Sequence, residues 1–408
     1  MKKIKILFSI VAIVMGLSSC ATTTNVAQSE IKDDQLYLES VYSINLVDTT
    51  LDSASFIEKC AYISDTDLSS VNDVIVALVK ASGFEELALT YSQDKAEERL
   101  SYYNVNNIGY FDANYVACAL DAKLIDKASL AKLVNNEAID GDVAATLLMN
   151  VSQANGESRN YLGKISDDDI LNKVASAFNS SYVYSDNNLD VVGKKLVESK
   201  ASTGYNLKKE GFNSNFIPEL TIKYGHSDEK HLKQLIALLN SEGIDAKLQI
   251  EPKVSIYQYL LEWGPVPEPS PFYYVEQYSE DLYLVHALEY DALFEFDSEA
   301  DLLEFNRIIE QYSKKNSENQ KEGSEVKLIS GAWWQPLYST TDMHDEDAYV
   351  EIYDCVAIED GYSIHSFCLE EDKDELAATM ATYTEAPIEL NKMYVNNAFY
   401  RYLIGESE

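Results

Sequence analysis

The sequence predicts a two-part fold: an all-α N-terminal half, then an α+β half in which helices cover one face of an antiparallel or mixed sheet. Three observations carry this. Apolar residues in the first half recur at spacings of three and four, whereas alternating runs appear between helical stretches from residue 218 onward. All eight prolines and all three tryptophans lie at Pro218 or later. The loop-like stretch Lys208-Lys209-Glu210-Gly211-Phe212-Asn213-Ser214-Asn215 falls where the composition changes. The expected divisions are residues 1–19, a tether over 20–40, a helical domain over 41–212 and an α+β domain over 218–408. A chain of 408 residues that is 46% hydrophobic can build two packed cores.

The N-terminal segment is an address. Lys2, Lys3 and Lys5 precede an apolar run, Ile6 to Leu17, that is shorter than the ~20 residues a bilayer span needs. Leu17-Ser18-Ser19-Cys20 ends it, and these residues resemble a bacterial lipobox. The resemblance implies cleavage before Cys20, a diacylglycerol on its thiol, palmitate-like acyl chains and a membrane-anchored lipoprotein of the cell envelope. One acyl chain holds a protein marginally, and two or three hold it stably. Ala21 and Thr22 supply no aspartate retention signal, which places the protein at the outer membrane if the bacterium has two. The alternative is an ordinary secretory signal with an incidental cysteine.

Charge narrows the partners. The chain carries 32 basic and 68 acidic residues, a net charge of −36. Nucleic acid is excluded, because its phosphates must be met by basic surface. Cations, neutral glycans or a basic protein fit better.

In the helical half, Val71, Val74, Ile75, Leu78 and Val79 share one helix face, as do Tyr115, Val116, Ala119, Leu120 and Leu124, and then Val143, Ala144, Leu147, Leu148 and Val151. Ser166 is expected to cap a further helix, with Asp167, Asp168 and Asp169 at its positive end. Residues Leu68 to Phe84, Tyr110 to Asp126 and Ala138 to Leu148 resemble the elements of a divergent S-layer-homology (SLH) repeat. The resemblance covers about residues 60–155 and implies a helical scaffold that binds cell-wall polymer. The chain departs from the family at the binding motif, where Ile139-Asp140-Gly141-Asp142 has no arginine. Without the guanidinium fork, and with an acid in its place, the scaffold carries over but the polymer-binding residues do not.

In the second half, Leu220 to Tyr224 reads as a strand. A helix with Leu232, Leu235, Ile236 and Leu239 follows, capped by Ser227, and Ile244 to Ile250 alternates as the next strand. Leu282 to Phe296 begins a second β-α-β unit, whose helix is capped by Asp297 or Ser298 and carries Leu302, Phe305, Ile309 and Tyr312. Residues 314–325 read as a loop and Val326 to Trp334 as a strand. Tyr349 to Ile358 and Tyr362 to Leu369 form a hairpin about Glu359-Asp360-Gly361, and a last helix carries Leu390, Met393, Ala398 and Tyr402. Two such units suggest ferredoxin-like sheets, and the first resembles a SPOR repeat, a small peptidoglycan-binding module, in topology. The segment Gly264 to Pro271 is a stiff spacer or a ligand for a proline-reading partner.

No elbow, phosphate loop or metalloprotease motif occurs, so no catalytic residue is assigned. Asp342, His344, Asp345 and Asp347 could ligate calcium or a transition metal, against a reading as a solvated acidic loop. Trp333, Trp334 and Tyr338 could stack on a sugar, against core and edge packing. Cys355 and Cys368 flank the hairpin and could form a disulfide, whereas Cys60 and Cys118 read as buried. His226 and His231 read as surface residues and His286 as a packed one. These features point to a lipid-anchored envelope protein that binds or assembles, with cell-wall glycan or an envelope protein as partner. The alternatives are a glycan-active enzyme with carboxylates in the second half, and a subunit of an envelope complex.

Overall fold

The computed structural model describes residues 31–135, 138–180, 187–312 and 336–406. The lipobox with Cys20, the expected loop over 314–325, the expected strand over 326–334, and Trp333 and Trp334 lie outside the described residues. The chain divides into two compact units, Met1–Arg159 and Asn160–Glu408. The boundary expected between residues 212 and 218 falls inside the second unit.

The first unit is helical, as its apolar periodicity requires. Its helices are α1 (residues 31–42), α2 (Ser53–Ser64), α3 (Val74–Ala81), α4 (Glu85–Leu89), α5 (Gln93–Tyr102), α6 (Ala113–Asp121), α7 (Lys127–Asn135) and α8 (Gly141–Ala154). They share one core that includes Phe56, Ile75, Leu78, Val116, Leu120, Leu147 and Leu148. A two-stranded ribbon, β1 (Thr50–Leu51) with β2 (Ile139–Asp140), pins the entry to α8. Carboxylates cap the helices: Asp52 accepts from Ser55 N at 2.7 Å and Asp73 from Ile75 N at 2.7 Å.

The second unit contains strands β3 (Gly163–Lys164), β4 (Gly204–Lys209), β5 (Thr221–His226), β6 (Ala246–Tyr259), β7 (Tyr273–Gln277), β8 (Tyr283–Phe296), β9 (Leu337–Thr340), β10 (Tyr349–Glu359), β11 (Tyr362–Cys368) and β12 (Ile388–Asn396). Its helices are α9 (Ile170–Ser180), α10 (Asn187–Glu198), α11 (Glu229–Ser241), α12 (Glu299–Tyr312), α13 (Lys373–Ala381) and α14 (Asn397–Leu403). Strands β6, β4, β11, β10, β12, β9, β5 and β8 are neighbours in that order. β8 then pairs with β6 along its whole length, from Ala246↔Phe296 to Tyr259↔Tyr283, and closes an eight-stranded antiparallel barrel. β3 and β7 flank β6 and β8 outside the ring.

Closure overturns the expected ferredoxin-like α+β arrangement. An open sheet would offer helices one face and water the other. Here the sheet curls until its far edges meet, and β4 and β12 complete the ring. β6 makes the bend possible by changing neighbours: residues 247–248 pair with β3 and residues 253–257 with β4. Pro252 falls in the gap between the two, where a missing ladder N–H is tolerated. Leu390 and Met393, expected on a helix, lie on β12, opposite Cys355 and Ile352. Ser166 does not cap α9; its hydroxyl donates to Asp245 Oδ2 at 2.9 Å. Asp228, not Ser227, caps α11, accepting from Lys230 N at 2.8 Å. Ser298 does cap α12, and the β10–β11 turn uses Asp360 and Gly361, both at positive φ (50° and 79°).

The barrel is apolar on its outer surface. Leu248, Ile250, Tyr224 and Phe294 pack with residues of α9, α11 and α12. Leu207, Val254, Ile256 and Cys355 pack with residues of α10 and α13.

Candidate functional site

Because side chains alternate along a strand, an apolar outer face fixes the inner face. On β6 the residues between the outward apolar ones are Lys247, Gln249, Glu251, Lys253 and Ser255. Lys208 on β4, Lys223 and Gly225 on β5, Asp291 on β8, Ser339 on β9, Asp354 on β10 and His365 on β11 point the same way. With Glu251, Lys253 and Ser255 they line a cavity of about 730 Å³.

Enclosed charges must find partners. Lys208 Nζ donates to Asp291 Oδ2 at 2.6 Å and lies 3.4 Å from Glu251 Oε2. Lys253 Nζ donates to the other Asp291 oxygen at 2.8 Å. Burial pushes the Asp291 carboxyl up, but Lys208, Lys253 and Lys223 together outweigh it and hold the group well below the usual carboxylate range. Burial likewise disfavours the Lys208 ammonium, and Asp291 and Glu251 more than restore it, so its pKa is raised. Gly225 lies beside this pair: a Cβ there would make ordinary contact, 3.4 Å from Asp291 Oδ1 and 3.5 Å from Lys253 Nζ. Further along β6, Lys247 Nζ donates to Glu295 Oε1 at 2.9 Å, and Glu295 Oε2 accepts from Ile217 N at 2.7 Å.

A second network crosses β10 and β11. His365 Nδ1 lies 2.7 Å from Asp354 Oδ2, and His365 Nε2 lies 3.0 Å from Ser363 Oγ. The Ser363 hydroxyl also bonds Glu210. Ser255 Oγ sits 2.8 Å from Asn206 Oδ1 and 2.7 Å from Glu289 Oε2.

Two polar groups of the lumen stand outside these networks. Lys223 has no hydrogen-bond or ion-pair partner among the described residues. The nearby Lys208 charge, then burial, lower its pKa. Asp354 Oδ1 is buried and bonds nothing among the described residues.

The residues singled out from sequence lie elsewhere. Tyr338 is 2% exposed and packs edge-on against Phe305 and Tyr349, so it offers no sugar platform. His344 Nδ1 turns to Glu299 Oε1 at 3.0 Å, and Asp345 Oδ1 accepts from Asp347 N at 2.9 Å. Among the described residues no group of three or more His, Cys, Asp or Glu side chains is placed to hold a metal ion. Cys355 and Cys368 are free buried thiols on the barrel's outer face, diagonal to each other across the ladder. His226 and His231 are not surface residues. Their rings stack at 3.7 Å, with His231 fully buried and its Nε2 2.7 Å from the Tyr224 hydroxyl. Burial lowers His226 to about 4, and burial with the His226 charge lowers His231 to about 3. In the helical unit, Asp140 caps α8 by accepting from Asp142 N at 3.0 Å, and Gln35 Nε2 donates to Asp142 Oδ1 at 3.0 Å. Asp140 and Asp142 are thus used in local structure.

No protein-family profile, curated protein or solved structure matches this chain. Among the described residues no helix is long and apolar enough to cross a membrane.

Proposed function

We propose that this chain is a lipid-anchored protein of the bacterial envelope whose barrel is a binding module for a small polar molecule. The anchor rests on the lipobox-like residues Leu17 to Cys20. The observation that carries the binding reading is the lumen: about 730 Å³, lined by charged and hydrogen-bonding side chains. That volume falls in the range of small-molecule sites, ~300–1,000 Å³. A lumen serving only as a core would be filled by its own side chains, whereas eight-stranded barrels with open space hold one small ligand. Polymer binding through the helical unit is not part of the proposal, since Asp140 and Asp142 repel an anionic chain.

The test is to purify the protein from its own envelope, denature it and identify what is released by mass spectrometry. A polar compound near one per chain is expected, absent from Ser339→Phe, which fills the lumen. A chain that releases nothing, and takes up nothing from a cell extract, counts against the reading. Acylation of the N-terminal peptide at Cys20, abolished in Cys20→Ser, tests the anchor separately. An enzyme working inside the lumen is the second reading, favoured by Asp354, His365 and Ser363 bonded in series. Conversion of the released compound by the purified chain would select it.

A further inference from the structure

The lumen's charges are nearly all spoken for, and the exceptions describe a ligand. Of the cations that line it, Lys208 and Lys253 each meet Asp291 within hydrogen-bond distance. Lys223 meets no carboxylate in this way. Glu251, Asp291 and Asp354 act on the Lys223 ammonium only through space and do not offset Lys208 and burial, so its natural complement is an anion that arrives from outside and bonds it directly. The wall carboxylates near Lys223 bond other groups: Asp291 is shared between Lys208 and Lys253, Glu251 faces Lys208, and one Asp354 oxygen meets His365.

Asp354 presents the opposite vacancy. One of its oxygens is engaged by His365, while the other is buried and bonds nothing among the described residues. A buried carboxylate oxygen in that state calls for a donor. Lys223 and Asp354 attract through space but form no hydrogen bond or ion pair with each other. They stand on β5 and β10, which β9 and β12 separate in the barrel wall, and both line the same cavity. Apolar surface lies among the polar groups, from Leu293, Leu337, Met393 and Phe367.

We infer that the ligand of the lumen is a small zwitterion, an amino acid or short peptide, whose carboxylate pairs with Lys223 and whose ammonium is received by Asp354. The inference rests on the lumen being a binding site, and it names the chemistry of what binds there. Charge-assisted bonds at both ends would set the ligand's direction, and the apolar patch would receive its side chain. The Lys208 charge, then burial, lower the Lys223 pKa despite Glu251, Asp291 and Asp354, and a carboxylate bonded directly to the ammonium opposes that shift.

Calorimetric titration of the full lipid-free chain, residues 21–408, tests this with defined probes. Alanine, glutamate and the dipeptide alanyl-alanine represent the zwitterions, and the first two against the third separate free amino acids from peptides. Propionate carries the anion alone, propylamine the cation alone, and glucose neither. A zwitterion is expected to bind at least roughly tenfold more tightly than either singly charged probe. Lys223→Met and Asp354→Asn should each remove roughly that factor, and Lys223→Arg should restore part of it. Should Asp354→Asn fail to fold, Lys223→Met decides alone, since it removes a group that bonds nothing. Propionate binding as well as alanine would overturn the role of Asp354. Glucose binding equally to the wild type and Lys223→Met would overturn the inference and leave the lumen reading standing. Binding of no probe at all would overturn both.

Discussion

The two faces of the barrel wall are made from the same strands and obey opposite rules. Along β6, Leu248, Ile250, Val254 and Ile256 pack outward with helices, while Glu251, Lys253 and Ser255 line the lumen. The outer face is held by burial of apolar surface, which asks only that volumes fit. The inner face is held by specific pairing, in which each ion removed from water must find its partner. The difference teaches that closure, not composition, assigns the polar face its meaning. On an open sheet these residues would be a solvated surface; in a ring they become a site.

Breaking the inner face should have the largest effect. Asp291→Asn leaves Lys208, Lys253 and Lys223 facing one another without the shared carboxylate. A loss of about 3–5 kcal/mol is expected, as for removal of one partner from a buried charge network. Urea unfolding of the variant against the wild type measures it. Asp291 is held below its ordinary range, so its contribution is present above the unfolded pKa of ~3.8 and fades as pH falls below it. The deficit of the variant should therefore shrink in acid.

The outer face should break more gently. Leu248→Ala empties space between β6 and the helices without stranding any charge. A cost of about 3 kcal/mol is expected, constant from pH 5 to 8. If both variants lost the same amount with the same pH profile, the distinction between the faces would fail.

The contrast also explains what could be read in advance. Helix periodicity, the strands flanking α11, the Ser298 cap and the Asp360-Gly361 turn are local patterns, and local patterns survive in a sequence. Closure is not local. It depends on β8 meeting β6 along its length and on β4, a short strand at Gly204–Lys209 that lies in what reads as the helical half. β12 was hidden because Leu390 and Met393 stand three apart, a helical interval, although they face opposite sides of a strand. The site was hidden for the same reason. Its residues come from β4, β5, β6, β8, β9, β10 and β11, one to three from each, and no motif spacing links them. The signal that could have found them is charge placed opposite apolar residues in strand after strand, as in Lys247-Leu248-Gln249-Ile250-Glu251. His231 misled because a histidine among acids looks solvated, whereas its helix turns it onto Tyr224.

The smallest expected effect is the sharpest test of the inner face, because its sign is unusual. Lys223 lies in the lumen beside Lys208, with no carboxylate in bonding reach among the described residues. Its folded pKa lies below the unfolded value of ~10.4, so the charged form is less favourable in the fold than in the unfolded chain. That penalty is fully present below the folded pKa and disappears as pH rises through the unfolded one. Lys223→Met keeps an unbranched apolar stem and removes the charge. The variant should melt at a slightly higher temperature than the wild type at pH 7, and the two should converge near pH 10.5. A saturating zwitterion should reverse the order at pH 7, because only the wild type can pair with its carboxylate. A variant less stable than the wild type without ligand would mean that the Lys223 ammonium already has a counter-charge, and the lumen would then be a finished salt-bridge network with no place kept for a guest.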